Sequence, residues 1–125
     1  MKKTMDQHRA AWAWAQTPEN PSKEYVSLAE GMPATILMCG LGQTTAFYLA
    51  KGKKERYYLD LLSNIASWLI IGYKGDDPNG ENKQGKKGTD LLAEIMREDR
   101  DRYHTLTDEV LDYLIWLKRF AKARE

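Results

Sequence analysis

Tyr103-His104-Thr105-Leu106-Thr107-Asp108-Glu109-Val110-Leu111-Asp112-Tyr113-Leu114-Ile115-Trp116-Leu117-Lys118-Arg119-Phe120-Ala121 decides the fold class. Tyr103, Leu106, Val110, Tyr113, Leu117 and Phe120 step by 3, 4, 3, 4 and 3 residues. That rhythm stacks side chains along one face of an α-helix, whose turn takes about 3.6 residues. Leu114 and Ala121 widen the stripe, so the spacing predicts a core helix. Pattern alone leaves its start open: near Asp99, or recapped at Thr105 or Thr107.

Upstream the same period recurs. Thr89 or Asp90 is placed to cap a short helix reaching about Arg97. Tyr58, Leu61, Leu62, Ile65, Trp68 and Leu69 mark the buried face of a long helix from about Lys54 to Ile71, and Gly72 stands where a left-handed glycine would end it. Another helix covers roughly Gly42 to Lys51 and stops at Gly52. Before it, Gly40-Leu41-Gly42-Gln43 reads as a sharp corner, where glycine permits positive φ or the close approach of a neighbouring helix. Ser22 caps a helix with Tyr25, Leu28, Ala29 and Met32 as its stripe. Gly31 and Pro33 are expected to interrupt it, with Pro33 opening a further short helix over Ala34 to Cys39. Thr4 and Gln7 form a capping box for the first helix, which carries Met5, His8, Trp12 and Ala15 on one face and ends at Pro18 and Pro21.

No run alternates as a strand does, and no repeat stands out. The expected architecture is all-α: a compact single-domain bundle of about six helices over residues 1–125. Residues 73–88 interrupt it with four glycines, one proline and almost no apolar side chain. They predict an extended, mobile surface loop. It is no domain boundary, because the 37 residues after it are too few to fold alone.

Composition sets the outer limits. A chain of 125 residues is one domain in size, and 42% hydrophobic content argues against global disorder. A single cysteine, Cys39, excludes an internal disulfide and argues against a cysteine zinc site; lying in an apolar run, it predicts a buried small hydrophobe. Met1 to Asp6 lead into no apolar segment, and Ile65 to Ile71 fall far short of the roughly 20 residues that span a bilayer, so a soluble cytoplasmic protein is expected. The net charge of +1, from 19 Lys and Arg against 18 Asp and Glu, excludes a strongly basic tail.

Charge placement says more. Lys51, Lys53, Lys54 and Arg56 form one basic knot, and Lys118, Arg119, Lys122 and Arg124 another. Acid-rich stretches, Glu98 to Asp101 and Asp108 to Asp112, lie between them. A nearly neutral protein can still carry a basic face of this kind. The same cations also suit helix C-termini, a purely structural role. Tyr57, beside Arg56, could stack on a base or cover the edge of the core. Trp12 and Trp14, two apart, point nearly oppositely, so one belongs at a rim or an interface.

Catalytic signatures fail on inspection. Gly80-x4-Gly85-Lys86-Lys87 approaches a phosphate-binding loop, but Lys87 replaces the hydroxyl that would hold magnesium, and no strand leads in. Gly40-x-Gly42 lacks the remaining dinucleotide glycine, since position 45 is threonine. His8 and His104 have no ligand partner at helical spacing, and no carboxylate pair is marked out as acid and base. No cofactor, metal or small-molecule substrate is expected.

Three stretches, in order, carry a resemblance. The first is Asp6-Gln7-His8-Arg9-Ala10. The second is Ser27-Leu28-Ala29 through Met32-Pro33, then Gly40-Leu41-Gly42-Gln43 and Ala46-Phe47-Tyr48-Leu49-Ala50-Lys51. The third is Tyr103, Thr107, Glu109 and Leu114 followed by Trp116-Leu117-Lys118-Arg119-Phe120-Ala121. Together they resemble the Cmr-type small, all-helical subunit of type III-B CRISPR RNA-targeting effector complexes, over nearly the whole chain outside residues 73–88.

The resemblance implies a non-catalytic antiviral-defence subunit. A few copies would stack as a minor filament beside the backbone subunits and the guide RNA–target RNA duplex. Its partners would be those subunits, neighbouring small subunits, guide RNA and target RNA, with no membrane. Its basic face would hold the target strand while backbone subunits cut. Arg9, Lys51, Lys54, Lys118 and Arg119 are the residues expected to converge there on RNA phosphates. The long 73–88 segment departs from the family, where a shorter connection is expected. A helical protein–protein adaptor without nucleic-acid binding, and a small enzyme with a convergent acidic site, are the competing classes.

Overall fold

Each helix start leaves amide groups without partners, and at three of the six starts short polar side chains answer them where the sequence places them. Thr4 Oγ1 accepts from the Gln7 amide at 3.0 Å while Gln7 Oε1 accepts from the Thr4 amide at 2.8 Å, completing the capping box. Ser22 Oγ accepts from the Tyr25 amide at 3.0 Å. Asp99 Oδ1 accepts from the Arg102 amide at 2.8 Å, which settles the start of the last helix. Thr105 and Thr107 do not recap it; their hydroxyls donate to the carbonyls of Asp101 and Tyr103 one turn back.

The computed structural model describes residues 3–74 and 86–125. Its helices are α1 (Met5–Gln16), α2 (Lys23–Cys39), α3 (Leu41–Lys51), α4 (Tyr57–Ile70), α5 (Gly88–Met96) and α6 (Arg100–Arg124), with a 3₁₀ turn at Gly72–Lys74. The fold is all-α, with no strand among the described residues. Most of the expected 73–88 loop, residues 75–85, lies outside them. The 3₁₀ turn takes up its beginning, and Gly88 already belongs to α5.

α4 is the central element and packs on each of the other five helices. Leu61, Leu62, Ile65, Ala66 and Trp68 are fully buried on it. α6 lies along α1, α2 and α4, burying Leu106, Val110, Tyr113, Leu114, Leu117 and Ala121. Tyr103 and Phe120, the two ends of its predicted stripe, are only partly covered. Trp12 is fully buried and Trp14 half exposed, so the first helix divides its tryptophans between core and rim.

Four expectations need correction. α2 runs through Pro33 without a break. Proline fixes a helical φ and removes one amide donor, and burial of Ala29, Met32 and Ile36 on either side holds the helix through that loss. Cys39 is exposed, not buried, at the end of a helix that outruns its neighbours: Leu37 is 75% and Met38 85% exposed just before it. Asp90 does not cap α5; from inside the first turn its Oδ2 accepts the Lys87 amide at 2.8 Å. Gly72 adopts no left-handed conformation, since Gly40 alone among the described residues has positive φ.

Gly40 makes the corner between α2 and α3. At φ 89° its amide still donates to the Ile36 carbonyl at 2.8 Å, and its carbonyl accepts from the Thr44 amide at 3.1 Å. The Gly42 amide donates to Tyr103 Oη at 3.0 Å, so α6 fixes the corner from outside. Gly40→Ala should lower stability by about 1–2 kcal/mol, the left-handed penalty for an L-residue. A melting temperature unchanged by the substitution would show that the corner relaxes to negative φ.

Candidate nucleic-acid interface

The first basic knot is shaped by a tight turn. Gly52 follows α3 so closely under α4 that a Cβ there would lie 2.4 Å from Leu59 Cδ2. The turn directs Lys51, Lys53, Lys54 and Arg56 outward, all exposed. The Lys54 amide donates to the Lys51 carbonyl at 3.1 Å, which keeps the two lysines adjacent. Lys51 Nζ sits 5.5 Å from the centre of the Phe47 ring. Among the described residues no carboxylate comes within ion-pair distance of Lys51, Lys53 or Lys54, whereas Arg56 reaches Asp60 at 3.5 Å. That pair is exposed on both sides and contributes little.

The second knot divides. Lys118, Arg119 and Lys122 line a cleft of about 450 Å³ with Glu30 of α2. Lys122 Nζ meets Glu125 at 2.9 Å. Arg124 turns back on the fold: it donates to the Thr17 carbonyl at 2.6 Å, and its guanidinium lies 3.8 Å from the Trp14 ring centre. It ties the end of α6 to the end of α1 and leaves the basic face.

Arg9 leaves it too. Its Nε and Nη2 donate to the two oxygens of Glu109 at 2.6 and 2.9 Å, and it approaches Asp6 at 3.3 Å and Asp112 at 3.6 Å. The Glu109 bond, against the opposing cost of burial, pushes the Arg9 pKa further above its already high value. The side chain is 14% exposed, and three carboxylates surround its charge. Arg9 is a clamp between α1 and α6, and the charge expected to meet RNA phosphates is here held by three carboxylates.

The remaining cations form two separate pairs. Lys51 and Lys54 stand at the end of α3, while Lys118 and Arg119 stand beside Glu30. α2 packs on both α3 and α6.

Glu109 stands among the residues that carry the resemblance, but its structural role is not legible there. It is 5% exposed, and its Oε2 also accepts from Trp68 Nε1 at 3.0 Å. The available signal was an acid standing inside the apolar stripe, between Leu106 and Val110. Asn64 is a second buried hub: its Nδ2 donates to the Gln16 carbonyl and to Tyr25 Oη, both at 3.2 Å, and its Oδ1 accepts from Tyr113. Burial raises the pKa of both tyrosines and keeps them neutral, Tyr25 accepting from Asn64 and Tyr113 donating to it. Among the described residues no three His, Cys, Asp or Glu side chains gather as a metal site, and no helix is long and apolar enough to cross a membrane.

A family model described as CRISPR-associated protein (Cas_Cmr5) matches residues 5–124. Among solved structures, the crystal structure of a CRISPR-associated Cmr5 family protein from Thermus thermophilus matches with a TM-score of 0.75 at 24% identity. That match covers 97% of each chain and shows a shared fold.

Proposed function

The chain belongs to the Cmr5 family of CRISPR-associated proteins, small subunits of type III-B effector complexes, and on that premise we propose that it is a non-catalytic subunit that stacks in a minor filament and holds target RNA. The family match running from residue 5 to residue 124 carries this reading. In it, neighbouring copies and backbone subunits are the protein partners, and the guide–target duplex lies alongside. Lys51, Lys54, Lys118 and Arg119 meet phosphates, supported by the exposed lysines of the first knot that lack carboxylate partners. The exposed apolar side chains Leu37, Met38, Phe47 and Met96 support protein contacts in the same assembly.

Phosphate contacts carry no sequence information, so binding is indifferent to target sequence and specificity rests with guide pairing. Each phosphate neutralised on a single strand contributes about 0.7 to the slope of log affinity against log salt. Changing Lys54 and Arg119 together to Glu should weaken target-RNA binding by the reconstituted complex for every sequence and flatten that slope. Exposed charge changes cost less than about 0.5 kcal/mol each, so the variant should assemble. Normal assembly with wild-type affinity and slope would remove both residues from the interface and favour a protein adaptor without RNA contact.

A further inference from the structure

Beside the first basic knot lies a groove of about 510 Å³ between α2, α3 and α4. Tyr48, Tyr57 and Tyr58 line one side, and Lys23, Ser27 and Gly31 of α2 the other. Tyr57 and Tyr58 stack with ring centres 4.8 Å apart, and Tyr58 meets Tyr48 edge-on at 5.1 Å. The aromatic wall is therefore braced from behind, through Tyr48, which is 3% exposed. Opposite it the helix has no side chain to fill the space: a Cβ on Gly31 would meet nothing within 4 Å. Lys54 is three residues from Tyr57 along the chain.

We propose that this groove receives an unpaired nucleobase of single-stranded RNA, stacked on the tyrosine wall while its flanking phosphates lie on Lys51, Lys53 and Lys54. The inference rests on the RNA-holding reading above and adds what that reading lacks, a site for the base. Glu24 lines the groove, the Tyr57 hydroxyl donates to Glu55, and Arg56 is paired with Asp60. Among the lining side chains Glu24 offsets Lys23, so the groove holds no surplus positive charge for a phosphate, and its three tyrosine rings suit the flat part of the nucleotide. A base in an A-form duplex has both faces covered by its neighbours, so the groove selects single strands. Every base has a π-face, so stacking tolerates any sequence.

The test separates stacking from charge. Full-length protein is titrated with a fluorescent single-stranded RNA oligomer, and with the same oligomer as a duplex, across a salt series. Tyr57→Ala should weaken single-strand binding by about 5- to 100-fold, the usual loss for one base–aromatic stack, and leave the salt slope unchanged. Tyr57→Phe should stay within about twofold of wild type, since the ring is kept. Gly31→Leu fills the groove from the other side without touching the tyrosines. It should block single-strand binding while the melting temperature holds or rises, because leucine suits a helix interior better than glycine. Lys54→Glu should weaken both ligands and flatten the slope. Weakening by Lys54→Glu with no effect of Tyr57→Ala or Gly31→Leu would overturn the groove and leave the RNA-holding reading intact. Wild-type protein that binds neither RNA at low salt would overturn both.

Discussion

Glu109→Ala is expected to lower stability by about 3–5 kcal/mol, the loss that follows when one member of a buried ion pair is removed. The carboxylate receives the Arg9 fork through both oxygens and the Trp68 indole through one of them. Alanine strands both donors, and the Trp68 ring is fully buried, so no water replaces the lost acceptor. Asp6 and Asp112, within 3.3 and 3.6 Å of Arg9, recover part of the charge and place the loss toward the lower end of the range. Glu109→Gln, which retains an acceptor for Trp68 but loses the charge pairing, should fall between alanine and wild type. The double change Arg9→Met with Glu109→Leu removes both charges and should recover much of the loss. Urea unfolding of the four proteins checks the series. A loss below about 1 kcal/mol for Glu109→Ala would make the pair no stronger than an exposed one and refute the clamp.

Gly72→Ala should cost about 1–3 kcal/mol or more through overpacking. The added Cβ would lie 2.5 Å from Trp68 Cε3 and 2.7 Å from Trp12 Cδ2. Neither ring can yield easily, for both are fully buried and Trp68 stacks parallel to Tyr113 at 5.3 Å. The His8 Nε2–Gly72 carbonyl bond, 2.8 Å long, has to move with the backbone. Lower thermal stability together with an altered near-ultraviolet tryptophan spectrum is the expected result. An unchanged spectrum and melting curve would show that the turn after α4 shifts freely.

These two sites mark where the sequence was legible and where it was not. The stripe of α6 and the caps at Thr4, Ser22 and Asp99 were readable because period and capping are local relations, settled within a few residues. Gly72 reads as a helix-ending glycine, but what crowds it is two rings, one of them 60 positions away in sequence, and chain-end geometry says nothing of them. Pro33 looks like a breaker until the burial of Met32 and Ile36 is known. Cys39 sits in an apolar run, but hydrophobicity does not tell which face has a neighbour. Arg9 reads as one more free cation because its carboxylate lies 100 residues away. A basic cluster read from sequence counts charges, while an interface depends on which of them remain unneutralised after folding. The lysines at 51–54 meet that condition among the described residues, and Arg9 and Arg124 do not.

The pairing of the first helix with the last also governs when the molecule can come into being. α1 and α6 pack along each other, and α6 also covers α2 and α4. On the ribosome the chain emerges from its N-terminal end, so Trp12, Ile65 and Trp68 are made long before Val110 and Leu117 arrive to enclose them. Contacts of such long sequence separation slow folding and leave apolar surface open meanwhile. A prematurely terminated chain lacking α6 is thus an open shell prone to aggregation and proteolysis, without the Glu109 that anchors Arg9. Translation must run almost to Arg124 before anything resembling the subunit exists, and defective fragments have no finished surface with which to compete for a place in an assembly.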